Sequence, residues 1–311
     1  KYQNMYNQIT DTILMIEPVA FGFNAETAVN NYFMQNDNMP EAEIQKAALR
    51  EFRNMVNLLT GKGIRVIVVP DTAEPHKPDS VFPNNWISFQ KDNRVAMYPM
   101  FAPSRRAERR IDIVEKVIGQ GFNISQMVDY SVYEKENRFL EGTGSMIFDR
   151  TNRVAYAALS TRTDQGLIQW LCNDFGYRPV TFNATQLSDK GRLPVYHTNV
   201  MLSVAENFAV VCLESIENET ERSNLINHLQ ETGKELVEIT LEQMEKFAGN
   251  VLQLKNAKGE RFLAISESGY NALTYTQRQK LASFNELIVI PVPTIEKYGG
   301  GSVRCMIAEV F

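Results

Sequence analysis

The sequence has few cysteines, few histidines and no excess of positive charge. Only three cysteines and three histidines occur among its 311 residues. An odd and sparse set of cysteines argues against a disulfide scaffold and is typical of a reducing compartment, so we expect a cytoplasmic protein. The formal net charge of −5 at pH 7 argues against a nucleic-acid or anionic-membrane partner, because such partners require a basic face. We therefore expect a small-molecule ligand.

Long apolar runs, linkers and metal-binding patterns are also missing. No apolar run reaches the roughly 18 to 20 residues of a membrane-spanning helix, and the opening stretch KYQNMYNQITD lacks the apolar centre of a signal peptide. No linker rich in Pro, Ser or Gly divides the chain, and no HExxH or CxxC spacing indicates a metal. We expect one domain over residues 1–311, with neither metal nor cofactor. The sequence leaves the oligomeric state open, and a homo-oligomer is one of the alternatives.

A unit of strand, strand, helix and strand recurs along the chain. Four copies have leading strands that begin near residues 80, 144, 199 and 251. A fifth copy is split, with its leading strand in VRCMIAEVF near residue 303 and its other elements, from ILMIEPVAF to IRVIVVP, at the N-terminus. This order predicts an α/β ring closed by pairing of the two terminal strands. An ordinary mixed sheet is the alternative reading of the same order.

Residues with reactive or ionisable side chains stand just before the predicted leading strands. They are Asp79, Glu141, His197, Asn250 (after Gly249) and Cys305. In a ring these positions converge on the axis, where a thiolate can act as nucleophile, an imidazole can move protons and a carboxylate can fix the imidazole tautomer. Taken singly, each has a structural alternative, since a lone cysteine is usually a core residue and an acidic residue often serves a turn.

The remaining cysteines and histidines lie away from these positions. Cys172 and His228 fall on predicted helices, Cys212 lies in an apolar strand and His76 lies in a loop, so we interpret all four as structural. The glycines at 299–301 precede Cys305 and allow close approach to a ligand. Asn24, in the stretch after the first strand, is interpreted as a helix cap.

Five motifs in order along nearly the whole chain carry a family resemblance: PDSVF, APSRRAE, LEGTG, HTN and GGGSVRCM. The sequence resembles the guanidino-group-modifying superfamily of arginine deiminases, dimethylargininases and amidinotransferases. The resemblance implies a five-bladed α/β-propeller, or pentein fold, of five ββαβ modules with pseudo-fivefold symmetry, closed by the N- and C-terminal strands.

The same resemblance implies roles for individual residues. Cys305 matches the nucleophile, His197 the general acid and base, and Glu141 the acidic residue that orients the histidine. Asp79 matches an aspartate beside the reactive group of the substrate, and Phe82 lies in the matching substrate-binding stretch. No metal or cofactor is implied.

Two arginines and three asparagines complete the predicted binding site. Arg105 and Arg162 match arginines near the amino-acid end of the substrate, where guanidinium groups suit a carboxylate. Asn85 and Asn84 stand where relatives of this superfamily carry acidic residues that hold a cationic guanidinium, and Asn199 replaces the aspartate of a His-x-Asp motif. The site has thus exchanged charge for neutral amides.

These exchanges favour a neutral ureido substrate, because an Asn side chain can donate to a carbonyl oxygen and a carboxylate cannot. The sequence looks most like the citrulline-utilisation hydrolase branch, which implies conversion of citrulline to ornithine, ammonia and carbon dioxide. The alternatives are an arginine deiminase or dimethylargininase, in which Asp79 alone balances the cation, and an amidinotransferase. A non-catalytic relative, such as the ribosome-associated initiation factors of this fold, is disfavoured because those lack the thiol and the imidazole.

Overall fold

The computed structural model describes residues 7–37, 39–90, 92–188 and 191–311. Its strands are β1 (Thr12–Glu17), β2 (Arg65–Pro70), β3 (Ile87–Phe89), β4 (Arg94–Met97), β5 (Gln126–Asp129), β6 (Ile147–Asp149), β7 (Val154–Ala158), β8 (Arg178–Phe182), β9 (Thr185–Ser188), β10 (Gly191–Pro194), β11 (Leu202–Val204), β12 (Phe208–Val211), β13 (Glu235–Glu238), β14 (Leu252–Lys255), β15 (Arg261–Ser266), β16 (Glu286–Ile290) and β17 (Ala308–Val310). The helices are α1 (Ala25–Ala28), α2 (Glu41–Gly61), α3 (Ile111–Gly119), α4 (Gly142–Ser145), α5 (Gln165–Phe175), α6 (Glu219–Glu231), α7 (Leu241–Glu245), α8 (Glu267–Ala272), α9 (Tyr275–Ala282) and α10 (Pro293–Gly299).

Five three-stranded sheets share one topology within the described residues. In each sheet a leading strand pairs antiparallel with the second strand, and the second pairs parallel with the third. The sheets are β3-β4-β5, β6-β7-β8, β11-β12-β13, β14-β15-β16 and β17-β1-β2. Strands β9 and β10 form a separate hairpin. The chain therefore has the predicted α/β class.

The sheet that contains β1 joins the two ends of the chain. Strand β1 lies between β17, with Thr12 opposite Val310, and β2, with Thr12 opposite Arg65. The predicted pairing of the terminal strands is confirmed.

The helices bury one face each. In α2 the buried residues recur every three or four positions, at Ile44, Ala48, Phe52, Met55 and Leu59, which is the spacing of an amphipathic helix. In α5 the Asp164 side chain caps the first turn by accepting from Leu167 N, and Gly176 ends the helix with a φ of 69° that glycine adopts without strain. Among the residues that the structure describes, none of the helices has both the length and the apolar character of a membrane span.

The leading strands begin later than the sequence predicts. A helical turn occupies the predicted start in four units, at Pro83–Asn85, Gly142–Ser145, Thr198–Val200 and Val303–Met306. In the first unit, Pro83 lacks the amide hydrogen that a paired strand needs, so the strand starts only at Ile87. In the last unit, Cys305 therefore lies in a turn and not in a strand.

Two further boundaries differ from the prediction. In the first unit the sequence predicts the third strand at FNIS, but the strand is Gln126–Asp129, directly after that stretch. The sequence also predicts one helix over SRRAERRIDIVEKVIG, where the structure has a 3-10 helix at Pro103–Glu108 followed by α3. The hairpin β9-β10 and helix α10 were not predicted.

The helical turns at the unit heads lie next to one another. The turn Pro83–Asn85 contacts both α4 and the turn Val303–Met306, and α4 also contacts the turn Thr198–Val200. Since each turn comes directly before a leading strand, the sheets bring four segments that are distant in sequence to one place. That place carries the candidate site.

Candidate active site

A small pocket lies between the unit heads. Its walls contain seven of the residues that the sequence singled out: Asp79, Phe82, Asn85, Arg105, Arg162, His197 and Cys305. The other wall residues are Thr27, Asn31, Tyr196 and the three glycines Gly299, Gly300 and Gly301. Glu141, Asn84 and Asn199 are buried behind this wall. The structure thus brings the thiol, the imidazole and a carboxylate of the sequence prediction to one cavity.

Cys305 receives hydrogen bonds from two asparagine side chains. Its Sγ lies 3.2 Å from Asn199 Nδ2 and 3.3 Å from Asn250 Nδ2. The side chain is only 2% exposed, yet it lines the pocket. The sulfur is therefore held by polar groups and is not sealed among hydrocarbon side chains.

The three glycines before Cys305 are required by packing. A Cβ atom on Gly299 would lie 2.8 Å from the Phe82 ring, and one on Gly301 would lie 3.0 Å from it. Gly300 has a φ of 60°, and a Cβ there would lie 2.5 Å from Asn31 Nδ2. The stretch of glycines thus lets the chain pass between Phe82 and Asn31 on its way to Cys305.

His197 and Glu141 form a buried pair. His197 Nε2 lies 2.7 Å from Glu141 Oε2, and Glu141 Oε1 accepts a hydrogen bond from Phe101 N at 2.9 Å. Burial lowers the pKa of His197 to about 4 although Glu141 favours the charged ring. Burial would raise the pKa of Glu141, but Arg162, His197 and Arg105 together lower it to about 2.

The resting state of this pair follows from these values. At neutral pH the imidazole is neutral and the carboxylate is ionised. Because a carboxylate only accepts hydrogen bonds, the ring proton lies on Nε2 of His197, and Nδ1 keeps its lone pair. Nδ1 can then serve as a base.

Two glycines of the LEGTG motif make room for the histidine. A Cβ atom on Gly144 would lie 2.8 Å from His197 Nδ1 and 2.5 Å from Asn85 Nδ2. Gly142 has a φ of 49°, which disfavours other residues. The turn that begins at Glu141 therefore packs directly against the site.

Asp79 presents one carboxylate oxygen without a partner. Its Oδ2 accepts hydrogen bonds from Asn24 Nδ2 at 2.8 Å and Thr27 Oγ1 at 3.3 Å, whereas its buried Oδ1 accepts none from the residues that the structure describes. Burial raises the pKa of Asp79, against the effect of Arg105. Asn24 also accepts from Glu26 N and caps α1, so the predicted cap is confirmed and the contact with Asp79 is added.

Arg105 is held mainly by partners inside the protein. Its guanidinium makes two hydrogen bonds of 2.9 Å to the carboxylate of Glu108, one of 2.8 Å from Nη1 to Asn85 Oδ1 and one of 3.2 Å from Nη2 to Phe82 O. Burial would lower the pKa of Arg105, but Glu108, Asp79 and Glu141 raise it. Glu108 was missed by the sequence reasoning, although its spacing of three residues from Arg105 in APSRRAE was the available signal.

Arg162 links the segment around α1 to the acid–base pair. Its Nη2 donates to Thr27 O at 2.7 Å and its Nε donates to Asn30 Oδ1 at 2.9 Å. Its Nη1 lies 3.5 Å from Glu141 Oε2. Like Arg105, Arg162 is buried and tied to protein groups, so the binding of a substrate carboxylate by these two residues stays a prediction.

The orientation of the Asn85 side chain is fixed. Arg105 can only donate, so the oxygen Oδ1 of Asn85 must face it, and the buried Nδ2 of Asn85 has no partner among the described residues. In the same part of the chain, Asn84 has no partner for either of its side-chain atoms, and Asn199 has none for Oδ1. Two residues of the pocket wall thus carry an unpaired polar atom, an N–H donor on Asn85 and an acceptor oxygen on Asp79.

Tyr196 is a wall residue that the sequence reasoning missed. Its ring lies 4.7 Å from that of His197, and its hydroxyl donates to Gly300 O at 2.5 Å. Its position next to His197 in the sequence was the only signal. No group of His, Cys, Asp and Glu side chains suited to a metal is found in the described part of the chain.

The model of the family "N,N dimethylarginine dimethylhydrolase, eukaryotic" matches residues 17–311. The chain belongs to this dimethylarginine dimethylhydrolase family. It is thereby a member of the guanidino-group-modifying superfamily. The superfamily predicted from the motifs is confirmed. A search of curated proteins finds no match.

Solved structures share the fold of this family member at low identity. The N-terminal domain of ArgZ bound to product, described as an arginine dihydrolase from the ornithine–ammonia cycle in cyanobacteria, has a TM-score of 0.73 at 16% identity, over 98% of this chain and 98% of that one. A dimethylarginine dimethylaminohydrolase adduct with S-methyl-L-thiocitrulline has a TM-score of 0.62 at 16% identity, over 97% and 99%. This chain spans 40% of a longer ArgZ chain, with a TM-score of 0.73 at 15% identity over 96% of this chain.

Proposed function

We propose that this hydrolase acts on the ureido carbon of free citrulline and produces ornithine, ammonia and carbon dioxide. The observation that carries the proposal is the side chain of Asn85, a residue of the pocket wall whose oxygen is occupied by Arg105 and whose buried Nδ2 has no partner among the described residues. A free N–H donor at this place selects for an acceptor on the substrate.

A ureido group and a guanidinium group differ in whether they offer a hydrogen-bond acceptor to this N–H donor. A guanidinium carries only donors, whereas a ureido group combines a carbonyl acceptor with N–H donors. In the proposed complex, Asn85 Nδ2 donates to the ureido oxygen and the free Oδ1 of Asp79 accepts from a ureido nitrogen. A guanidinium facing Asn85 would leave that donor unsatisfied, which costs about 1 to 3 kcal/mol when it is buried.

The reaction proceeds in two stages. The unprotonated Nδ1 of His197 takes the proton of the Cys305 thiol, and the sulfur attacks the ureido carbon. The protonated ring then gives its proton to the departing nitrogen, which leaves a covalent thioester-like intermediate. Water activated by His197 then cleaves the C–S bond, which restores the thiol and releases a carbamic acid. The carbamic acid breaks down to carbon dioxide and the second amine, so the products are ornithine, ammonia and carbon dioxide. Glu141 keeps the imidazole oriented and balances its charge while the ring is protonated.

The architecture proposed for this enzyme is one domain over residues 1–311, with the five sheets as blades around a pseudo-fivefold axis. Two observations support it: the five sheets share one topology, and leading strands of different sheets contact each other, β17 with β3 and β6 with β11. We propose a cytoplasmic enzyme that uses a free amino acid and needs no cofactor.

Hydrolysis of arginine or a methylated arginine is the second candidate. The family model and the ArgZ structures favour it, since their descriptions name dimethylarginine and arginine chemistry. The free carboxylate oxygen of Asp79 also suits a cation.

The test is to incubate the purified chain separately with citrulline, arginine and dimethylarginine, and to measure ammonia and the amino-acid product. We expect ornithine from citrulline and the highest kcat/KM for that substrate. Accumulation of citrulline from arginine or dimethylarginine, without ornithine formation from citrulline, would overturn the proposal in favour of the second candidate. A parallel reaction of arginine with glycine or lysine detects amidino transfer, and Cys305→Ser is the inactive control.

A further inference from the structure

The sulfur of Cys305 is contacted by Asn250, a residue from the head of the fourth unit. Asn250 is fully buried, and its Nδ2 lies 3.3 Å from Cys305 Sγ. The sequence placed Asn250 among the unit heads without giving it a role. It does not line the pocket, so contact with substrate is not its function.

The amide of Asn250 is locked in one orientation. Its Oδ1 accepts a hydrogen bond from Arg304 N at 3.0 Å, and its Nδ2 donates to Asn199 O at 3.0 Å. A flipped amide would set donor against donor at Arg304 and acceptor against acceptor at Asn199. The group nearer to the sulfur of Cys305, at 3.3 Å, is therefore an N–H donor, while Oδ1 lies 3.7 Å away and can accept from the thiol form.

We propose that Asn250 stabilises the thiolate form of Cys305 and fixes the direction of its attack. The proposal deepens the proposed function and rests on it in taking Cys305 as the nucleophile. A hydrogen bond to a charged group favours the charged form, and its effect is large where water is excluded, as it is around this buried sulfur.

Asn250 also joins three units at the nucleophile. It bonds the backbone of Arg304, the residue before Cys305, and the backbone of Asn199, whose own side chain is the second donor to the sulfur. A single side chain thus sets both the electrostatics of the sulfur and the position of the turn Val303–Met306.

The experiment is alkylation of the folded protein by iodoacetamide across a range of pH, with Asn250→Ala and Asn250→Asp compared with the unchanged protein. Loss of one charge-assisted hydrogen bond predicts an alkylation midpoint about one pH unit higher in Asn250→Ala and an alkylation rate about tenfold lower at pH 7. Asn250→Asp keeps the acceptor for Arg304 N but sets a carboxylate against the thiolate, so we expect a still higher midpoint.

The order of the two variants separates the proposal from a merely structural role. A structural role predicts that Ala, which loses every contact, is the more damaging change and that the midpoint does not move. An unchanged midpoint in both folded variants, or a smaller shift in Asp than in Ala, would overturn the proposal. Because alkylation needs no substrate, the result is independent of whether citrulline is hydrolysed.

Two controls complete the design. Cys305→Ala removes the rapid alkylation and shows that the signal comes from this thiol and not from the buried Cys172 or Cys212. Asn285→Ala removes another buried asparagine, whose side chain bonds Leu281 O and Gln253 and does not contact the sulfur. We expect its alkylation profile to match that of the unchanged protein, with thermal unfolding recorded for every variant.

Discussion

Replacing Asn85 by Asp tests the choice between a ureido and a guanidinium substrate. The exchange keeps an oxygen for Arg105 Nη1, which lies 2.8 Å away, so the internal bond survives. It changes the other end of the side-chain amide, which has no partner among the described residues, from an N–H donor to a carboxylate oxygen. The perturbation therefore acts on the substrate more than on the fold.

The magnitude follows from the lost donor. Opposing the ureido oxygen with another acceptor forfeits one hydrogen bond and leaves a buried polar group unpaired, which costs about 1 to 3 kcal/mol. Since 1.4 kcal/mol is a factor of ten, we expect kcat/KM for citrulline to fall about tenfold to hundredfold in Asn85→Asp. A cationic guanidinium gains an opposite charge at the same place, so the ratio of kcat/KM for arginine to that for citrulline rises by at least about tenfold.

The assay is steady-state release of ammonia from each substrate, with identification of the amino-acid product. Asn85→Ala is the matched variant, because it removes the donor without adding charge and separates the two effects. It also leaves Arg105 Nη1 without its acceptor, so thermal unfolding is measured alongside. A folded Asn85→Asp enzyme with undiminished kcat/KM for citrulline would refute the assignment of Asn85 as the donor to the ureido oxygen.

Three further predictions concern the site and its surroundings. Gly144→Ala places a methyl group 2.8 Å from His197 Nδ1 and 2.5 Å from Asn85 Nδ2. We expect the unfolding free energy to fall by at least about 2 kcal/mol and turnover to be lost almost completely. Denaturant unfolding and ammonia release measure the two effects. The pKa of His197 is 6.5 in the unfolded chain and about 4 in the fold. As the pH drops through this range, the unfolded state binds more protons than the folded state, so the unfolding free energy falls. Between pH 7 and 4.5 the contribution of His197 to this loss of unfolding free energy is about 2 kcal/mol, and we expect it to be absent from His197→Gln in urea titrations. An equal loss of unfolding free energy in both proteins would contradict the prediction. Arg162→Met removes the link between the α1 segment and Glu141, and we expect faster hydrogen exchange of residues 24–31 together with a raised KM, whereas unchanged exchange would contradict the link.

The order of elements was predictable because it depends on local signals. Turn residues and helix periodicity recur in each unit, and the split fifth unit followed from the pieces left at the two ends of the chain. The pairing of Thr12 with Val310 then confirmed the closure of that sheet. The unit-head positions were predictable for the same reason, since each precedes a recognisable strand.

The turns at the unit heads were not predictable, because contacts between units decide them. The backbone of Gly142 packs against Asn84 from another unit, and Gly144 packs against both Asn85 and His197. No local pattern in LEGTG indicates these neighbours, so the sequence predicts a strand from about residue 144, where the structure still has the helical turn Gly142–Ser145.

The hydrogen-bond partners of the site were missed for a related reason. Arg162 and Asn30 are 132 positions apart, and Asn199 and Cys305 are 106 apart. Matching a superfamily motif suggests that an arginine is near the substrate, but only the packed chain shows that Arg162 is bound to protein groups. The roles of these residues toward substrate remain predictions.

The central position of β1 between β17 and β2 has a consequence for biosynthesis. The segment that carries Cys305 follows the segments of His197 and Glu141 in the chain, so the nascent chain holds this imidazole and this carboxylate long before the thiol of Cys305. Until β17 arrives, β1 has an unpaired edge, which is the kind of surface that templates aggregation. The same late event that shields this edge brings Cys305 to the pocket, so the nascent chain needs protection until both have happened.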